Sequence, residues 1–307
     1  MACSARQQRG VAIVTAMLLT TLAITLVASL FWQQQVQVRS IDNQRLQLQK
    51  QWVLRGALDW ARLILREDGT YSTVDDLTEP WAVPLSETRL DRYVESAALP
   101  GEAATAVLSG AIQDAQARLN LSALASHGQI NPEEVAAFAR LLGFLQQDPA
   151  LARAAAQAMA QSQQAADHGS GRPRMIRFVQ VDDLLAVPGF TSAVLTAIRQ
   201  DIIFLPRATP VNANTTRAEV LAARLPPLSL ADANTLIATR RKVSFRDLSE
   251  ISARLPGKPD IDPALLSVAT SYFLVNGRVA IRQASLQVQA LVERSAATTH
   301  LLWMHQT

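Results

Sequence analysis

The chain has 307 residues, 49% of them hydrophobic, with 29 basic and 26 acidic side chains and a single cysteine. That size allows about two domains around a real core and excludes a disordered chain, while the near balance of charge argues against a concentrated basic face for nucleic acid. One cysteine, Cys3, can form no disulfide within the chain, so an exported domain must rest on packing.

A short basic leader with Arg6 and Arg9 ends at Gly10, and the uncharged run VAIVTAMLLTTLAITLVASLFW follows from Val11 to Trp32. As a helix its about 22 residues extend ~33 Å, enough to cross a hydrocarbon core. The arginines hold the N-terminal end in the cytoplasm and send the remainder to the periplasm. A Gly at such a hydrophilic-to-apolar boundary is where prepilin peptidases cut, which keeps the apolar run as the mature N-terminus. A secretory signal peptidase cuts after the run instead. Hydropathy alone also fits an uncleaved signal anchor. Cleavage after Gly10 would remove Cys3, Arg6 and Arg9 and leave a net charge of +1. Cys3 has no apolar region before it, so a lipoprotein reading fails.

Beyond Trp32 the chain turns polar without a proline, and Leu54, Leu58, Ala61 and Leu65 recur at helical spacing. One helix is predicted from Val11 to about Arg66, on the order of 80 Å long, with Asp68-Gly69 as its stop and Trp52 and Trp60 as core anchors. Tyr71 to Ala111 is irregular, punctuated by Pro80, Pro84 and Pro100, with ETRLDRYVES as a short helix. SGAIQDAQARLNLSAL reads as a strand and turn around Ile112, Leu119 and Leu121. Asn131-Pro132 opens a helix, with Glu133 and Glu134 near the positive end of its dipole. The Ala-rich stretch after it runs out at Gly169-Ser170-Gly171, a loop without the Lys-Ser/Thr of a phosphate cradle.

Two similar units follow, VDDLLAVPGFTSAVLTAIRQ and NANTTRAEVLAARLPPLSLADANTLIATRR, each a helix, a tight apolar turn and a second helix. They resemble helix-hairpin-helix units. Gly189 suits the phosphate-approaching hairpin of the DNA-binding version, but Pro227 in the second unit has no N–H to offer, so the pair reads as packing modules. Asp182 is expected to cap the first unit, and Arg240, Arg241 and Lys242 to form a solvated basic face. After Pro263 the pattern becomes β-like: SYFLVNGRVAI with Asn276-Gly277 as a hairpin turn, alternating Leu286, Val288, Ala290 and Val292, and HLLWMHQ as a last strand.

These segments together resemble the minor pseudopilins of type II secretion systems, in particular the general secretion pathway protein K family. The likeness is carried by RQQRGVAIVTAMLL, by Asp114 to Leu121, by VNANTTRAEVLAA and by Ser271-Tyr272-Phe273, and spans nearly the whole chain. It implies an α+β fold in which a pilin-like long N-terminal helix packs on a small antiparallel sheet, with a large inserted all-α domain containing the hairpin units. The implied division is leader 1–10, membrane helix 11–32, first part of the pseudopilin domain 33–125, helical insertion 126–267 and C-terminal strands 268–307. Gly10 takes the cleavage position and Val11 becomes the N-methylated first residue. The fifth mature position, Glu in most pilins, is Thr15 here, as in the K-type members. A carboxylate there is thought to neutralise the terminal amine of a neighbouring subunit; a subunit with Thr15 can still offer its own amine to the next subunit's Glu but cannot capture the amine of one ahead, which suits a filament tip.

The resemblance implies other minor pseudopilins, the major pseudopilin filament, prepilin peptidase and the inner membrane as partners, and no nucleic acid. Structural calcium occurs among pseudopilins, but the sequence assigns no ligands, and no cofactor is required. His127, His168, His300 and His305 are scattered without a zinc spacing, and no G-x-S-x-G occurs, so no enzyme is expected. Arg118 and Asn120 read as a hydrogen-bonding staple at the domain junction. The alternatives are a minor pilin of a type IV pilus or competence system, or a membrane-anchored periplasmic enzyme, which would need a convergent polar site.

Overall fold

The structure is a computed structural model and describes residues 7–90, 106–167, 178–226, 228–255, 257–281, 284–296 and 298–306. It is α+β. Helix α1 runs unbroken over Gln7–Tyr71, ~98 Å at ~1.5 Å per residue. Leu54, Leu58, Ala61 and Leu65 are buried, so the predicted stripe is the face that packs. Two sequence expectations fail along this helix. Trp52 and Trp60 are 69% and 51% exposed, because each sits two residues from a stripe leucine, roughly 200° around the helix. Trp81 anchors the core in their place, 1% exposed and edge-on to Phe273 with ring centroids 5.2 Å apart. Asp68-Gly69 does not stop the helix either. Gly69 serves close approach, since a Cβ there would lie 2.7 Å from the Ala296 carbonyl oxygen.

Five strands form one antiparallel sheet: β1 Leu85–Arg89, β2 Val107–Asp114, β3 Tyr272–Ile281, β4 Ala284–Ser295 and β5 Thr298–Gln306, neighbours in that order. The Leu85–Arg89 strand replaces the first part of the predicted ETRLDRYVES helix; residues 91–96 of it lie outside the described residues. Asn276-Gly277 is no turn. It lies within β3, where Gly277 pairs with Gly110 and Val288. A Cβ on Gly110 would meet the Asn276 carbonyl at 2.6 Å, so Gly110 keeps the strands close beneath α1.

Alternation along β3 and β4 sends side chains to both faces. Phe273, Val275, Ala290 and Val292 meet the α1 stripe, whereas Tyr272, Leu274 and Leu291 meet Ile203 and Leu205 on the far face. Between β2 and β3 the chain builds a helical body: α2 Pro132–Phe144, α3 Ala150–Asp167, α4 Ser192–Ile198, α5 Ala218–Arg224, α6 Leu230–Arg240 and α7 Leu248–Ser252. Its core runs from Leu119 to Leu266, so the body begins ahead of residue 126: Leu119, Leu121 and Leu124 already belong to it.

Asn131 caps α2 by accepting from the Glu133 and Glu134 amides. The hairpins face inward, with Val187, Phe190, Leu225 and Leu228 buried. Gly189 has φ +95°, and a Cβ on it would meet Leu151 Cδ2 at 2.6 Å, so this glycine answers to packing. The first helix of this unit is a 3₁₀ turn, Val181–Ala186, and the capping acid is Asp183, which accepts from the Val179 and Gln180 amides. Asp182 instead pairs with Arg199 across the hairpin, and that hydrogen bond holds its carboxyl below the usual range. Arg240 is not solvated. Its guanidinium donates to the Ala213 and Thr216 carbonyls, and burial, aided by Arg241, pulls its pKa down to about 10. The Gly169-Ser170-Gly171 loop and Pro227 lie outside the described residues.

Candidate assembly helix and head junction

Gly10 and Val11 lie near the start of α1 and Thr15 about a turn beyond, ~80 Å along the helix from Leu65. The apolar span has a mean hydropathy of 2.2, and none of it is buried against the rest of the chain, so it is long and apolar enough to cross a membrane. Its hydroxyls are satisfied within the helix: Thr15 Oγ1 donates to the Ala12 carbonyl at 3.0 Å, and Thr20, Thr21 and Thr25 donate back to carbonyls three and four residues earlier. Such back-bonding lets threonine sit in hydrocarbon without a partner from another helix.

At the opposite end of α1 the sheet, the helix and the body meet. β2 starts beside Leu54 and ends beside Leu58 to Leu65, so the chain enters the body at the end of α1 away from the apolar span. The entry is built from hydrogen bonds. Asp114 Oδ2 accepts from Asn212 Nδ2 at 2.8 Å and Thr215 Oγ1 at 2.5 Å, and its Oδ1 accepts from the Gln116 amide at 2.7 Å. Gln116 Nε2 donates to the Pro210 carbonyl while its Oε1 accepts from the Ser271 amide. Asn120 donates to the Arg207 carbonyl and accepts from the Leu205 amide, and Thr216 donates to the Ala117 carbonyl. Three segments far apart in sequence, around 114–120, 211–216 and 270–273, thus converge on one spot. Asn120 is the staple expected of it; Arg118 is not, since among the described residues its one hydrogen bond is to Gln113.

Arg294 completes the junction and was not legible in sequence. Its guanidinium donates to Asp68 and Asp75 and to the Thr270 carbonyl, tying α1, the following loop and the return strand together. All three charged side chains are at most 8% exposed. Burial pushes the carboxyls of Asp75 and Glu79 up, with Arg294 opposing it at Asp75 and the Asp76 amide at Glu79. Asp114, fully enclosed, is pushed up to about 6 by burial against the pull of Thr215, Thr270 and Asn212.

Asp68, Asp75 and Glu79 place a carboxylate oxygen each within 4.8 Å of one another, the spacing of a cation cage. They do not fit one. Arg294 already neutralises two of them, and Glu79 Oε2 accepts from Trp81 Nε1 at 2.8 Å and the Asp76 amide at 3.0 Å. A calcium ion here would have to displace a buried guanidinium.

Two family models described as type II secretion system protein K match residues 117–207 and 211–269, the span of the helical body. The chain is 25% identical over 300 residues to the type II secretion system protein K of Pseudomonas aeruginosa, covering 90% of this chain and 86% of that one. A chain in the crystal structure of the GspK-GspI-GspJ complex from the type 2 secretion system of enterotoxigenic Escherichia coli superposes with a TM-score of 0.66 at 18% identity. That match covers 88% of this chain and 99% of the other, and likens the fold.

Proposed function

We propose, for a chain that belongs to the type II secretion system protein K family and is a structural minor pseudopilin rather than an enzyme, that it stands at the tip of the pseudopilus and caps it. In this reading prepilin peptidase cuts after Gly10, Val11 becomes the N-methylated first residue, and α1 packs among the helices of the filament from the inner membrane outward. The head lies in the periplasm. Other minor pseudopilins form a tip complex with it, as GspI and GspJ accompany GspK in the solved complex, and the major pseudopilin continues below.

The observation that carries the proposal is the place of the helical body. It leaves the sheet at Asp114 and returns at Tyr272, level with the far end of the buried stripe and at the end of α1 opposite the apolar span, and it covers the sheet face turned away from α1. A lateral neighbour can share α1, but a subunit stacked above would meet the body. Thr15 agrees with this: its hydroxyl serves its own helix, and it has no carboxylate with which to capture the amine of a subunit ahead.

The processing step is tested by Gly10→Ala in a secreting strain, where mature protein of unaltered mass would sink it. Capping is tested by Thr15→Glu and, separately, by deletion of residues 131 to 265. Each should change pilus length or initiation; unchanged length and secretion in both would overturn the tip assignment.

A further inference from the structure

The segment that enters the body uses Asp114, Gln116 and Asn120 to bind across the junction, while Arg118 turns elsewhere. Its guanidinium makes one hydrogen bond among the described residues, Nη2 to Gln113 Oε1 at 3.0 Å. Burial lowers its pKa, opposed from beyond ion-pair distance by Asp201 and Asp114. Arg118 lines a cleft of about 650 Å³ between the body and the sheet. That volume falls in the roughly 300–1,000 Å³ range of ligand-binding clefts.

The other charges lining the cleft are already matched. Asp182 pairs with Arg199, and Arg217 lies 3.0 Å from Asp201 and 3.6 Å from Glu219. Asp114 is committed to Asn212, Thr215 and the Gln116 amide. Arg118 alone keeps a fork of donors for a planar acceptor. The walls are those of a peptide slot: Leu77, Val179 and Trp303 offer apolar surface, and the amide of Gln200 can meet a peptide backbone.

We infer that this cleft binds an extended peptide segment carrying a single carboxylate, which Arg118 receives. A dianionic phosphate is the poorer match, since one uncommitted guanidinium would face it with Asp114 and Asp182 close by. The inference rests on the cleft and not on the filament reading, so either can fail without the other.

The test is fluorine NMR on the detergent-solubilised full chain labelled with fluorotryptophan, following the Trp303 signal. Three tetrapeptides serve as probes: acetyl-Ala-Leu-Asp-Leu-amide, acetyl-Ala-Leu-Ala-Leu with a free terminal carboxylate, and the neutral acetyl-Ala-Leu-Asn-Leu-amide. One or both acids should bind saturably, about tenfold or more tighter than the neutral peptide, as expected for a charge-assisted hydrogen bond. Which acid binds separates a side-chain source from a chain terminus. Arg118→Gln should remove that margin and Arg118→Lys restore part of it. Gln200→Glu, which leaves Arg118 in place, should weaken acid binding by like charge. No saturable shift, equal affinity for the neutral peptide, or binding unchanged in both Arg118→Gln and Gln200→Glu would overturn the proposal.

Discussion

The helical body and the sheet that carries it are held together in different ways. The body closes around one continuous apolar core, with Phe138, Leu141, Leu142 and Leu221 at most 1% exposed. The sheet is a single layer that must be covered on both sides, by α1 on one face and the body on the other. Where the two meet, apolar packing gives way to a knot of charges and amides around Arg294 and Asp114. A thin sheet has too little core of its own to fix the angle of a large appendage, and directional bonds supply what area cannot. The body should therefore respond mainly to lost volume, and the junction to lost charge.

The largest effect should come from cutting into the body. Phe138→Ala is expected to cost ~3–5 kcal/mol, read as faster hydrogen exchange throughout α2, α3 and α5 while β3 and β4 stay protected. Loss of protection in the sheet as well would show that the two regions unfold as one.

Arg294→Met is the complementary cut. It leaves Asp68 and Asp75 buried without their counter-ion, a loss of ~3–5 kcal/mol that should appear at the α1 end and the 270–275 segment, with exchange in the body unchanged. Restoring stability by Asp75→Asn in the same chain would show that the uncompensated charge, and not the missing packing, is the cause.

Acid sharpens the comparison further. The folded pKa of Asp114, about 6, lies above its unfolded value, so its contribution is fully present below about pH 4 and is lost as pH rises through about 6. The junction should therefore gain stability, on the order of 2 kcal/mol, between pH 7.5 and pH 4.5. Asp75 and Glu79 push in the same direction. Asp114→Asn should flatten most of that slope in segment-resolved exchange across pH, and an unchanged slope would assign it to another group.

The smallest effect belongs to the exposed tryptophans. Trp52→Ala and Trp60→Ala should each change the stability of the isolated chain by less than ~0.5 kcal/mol, measured by the same exchange. A larger loss would mean that the outward face of α1 is packed after all.

Much of the sheet side was legible because its signals are periodic. The stripe from Leu54 to Leu65, the alternation in β4 and the cap at Asn131 all follow from one-dimensional spacing. The errors share a cause: a residue with two uses was assigned the local one. Asp68-Gly69 and Asn276-Gly277 have the local form of a stop and a turn, yet Gly69 serves close approach to Ala296 and Gly277 is paired on both sides inside β3. Residue type favours Trp52 and Trp60 as anchors, but their phase on the helix points them away from the stripe. Asp182 and Asp183 differ by one position, and only the position of Arg199 decides which is free to cap. The junction was legible as motif segments and not as a site, since nothing in sequence brings Asp114, Asn212 and Ser271 together or names Arg294 as the partner of Asp75.

The insertion point also dictates an order of events during folding. β2 pairs with β3 so that Asp114 lies opposite Phe273, and the whole body separates them along the chain. Closing a loop of that length is slow and entropically costly unless its contents have already condensed. The leucine stripe of α1 packs against Phe273, Val275, Ala290 and Val292, all from the last strands. Through most of synthesis that stripe therefore has only part of its cover, Trp81 after α1 and Leu108 and Ile112 from β2. The spine of the molecule is made first and finished last, and until β3 and β4 arrive it is the segment most in need of a chaperone or an early partner.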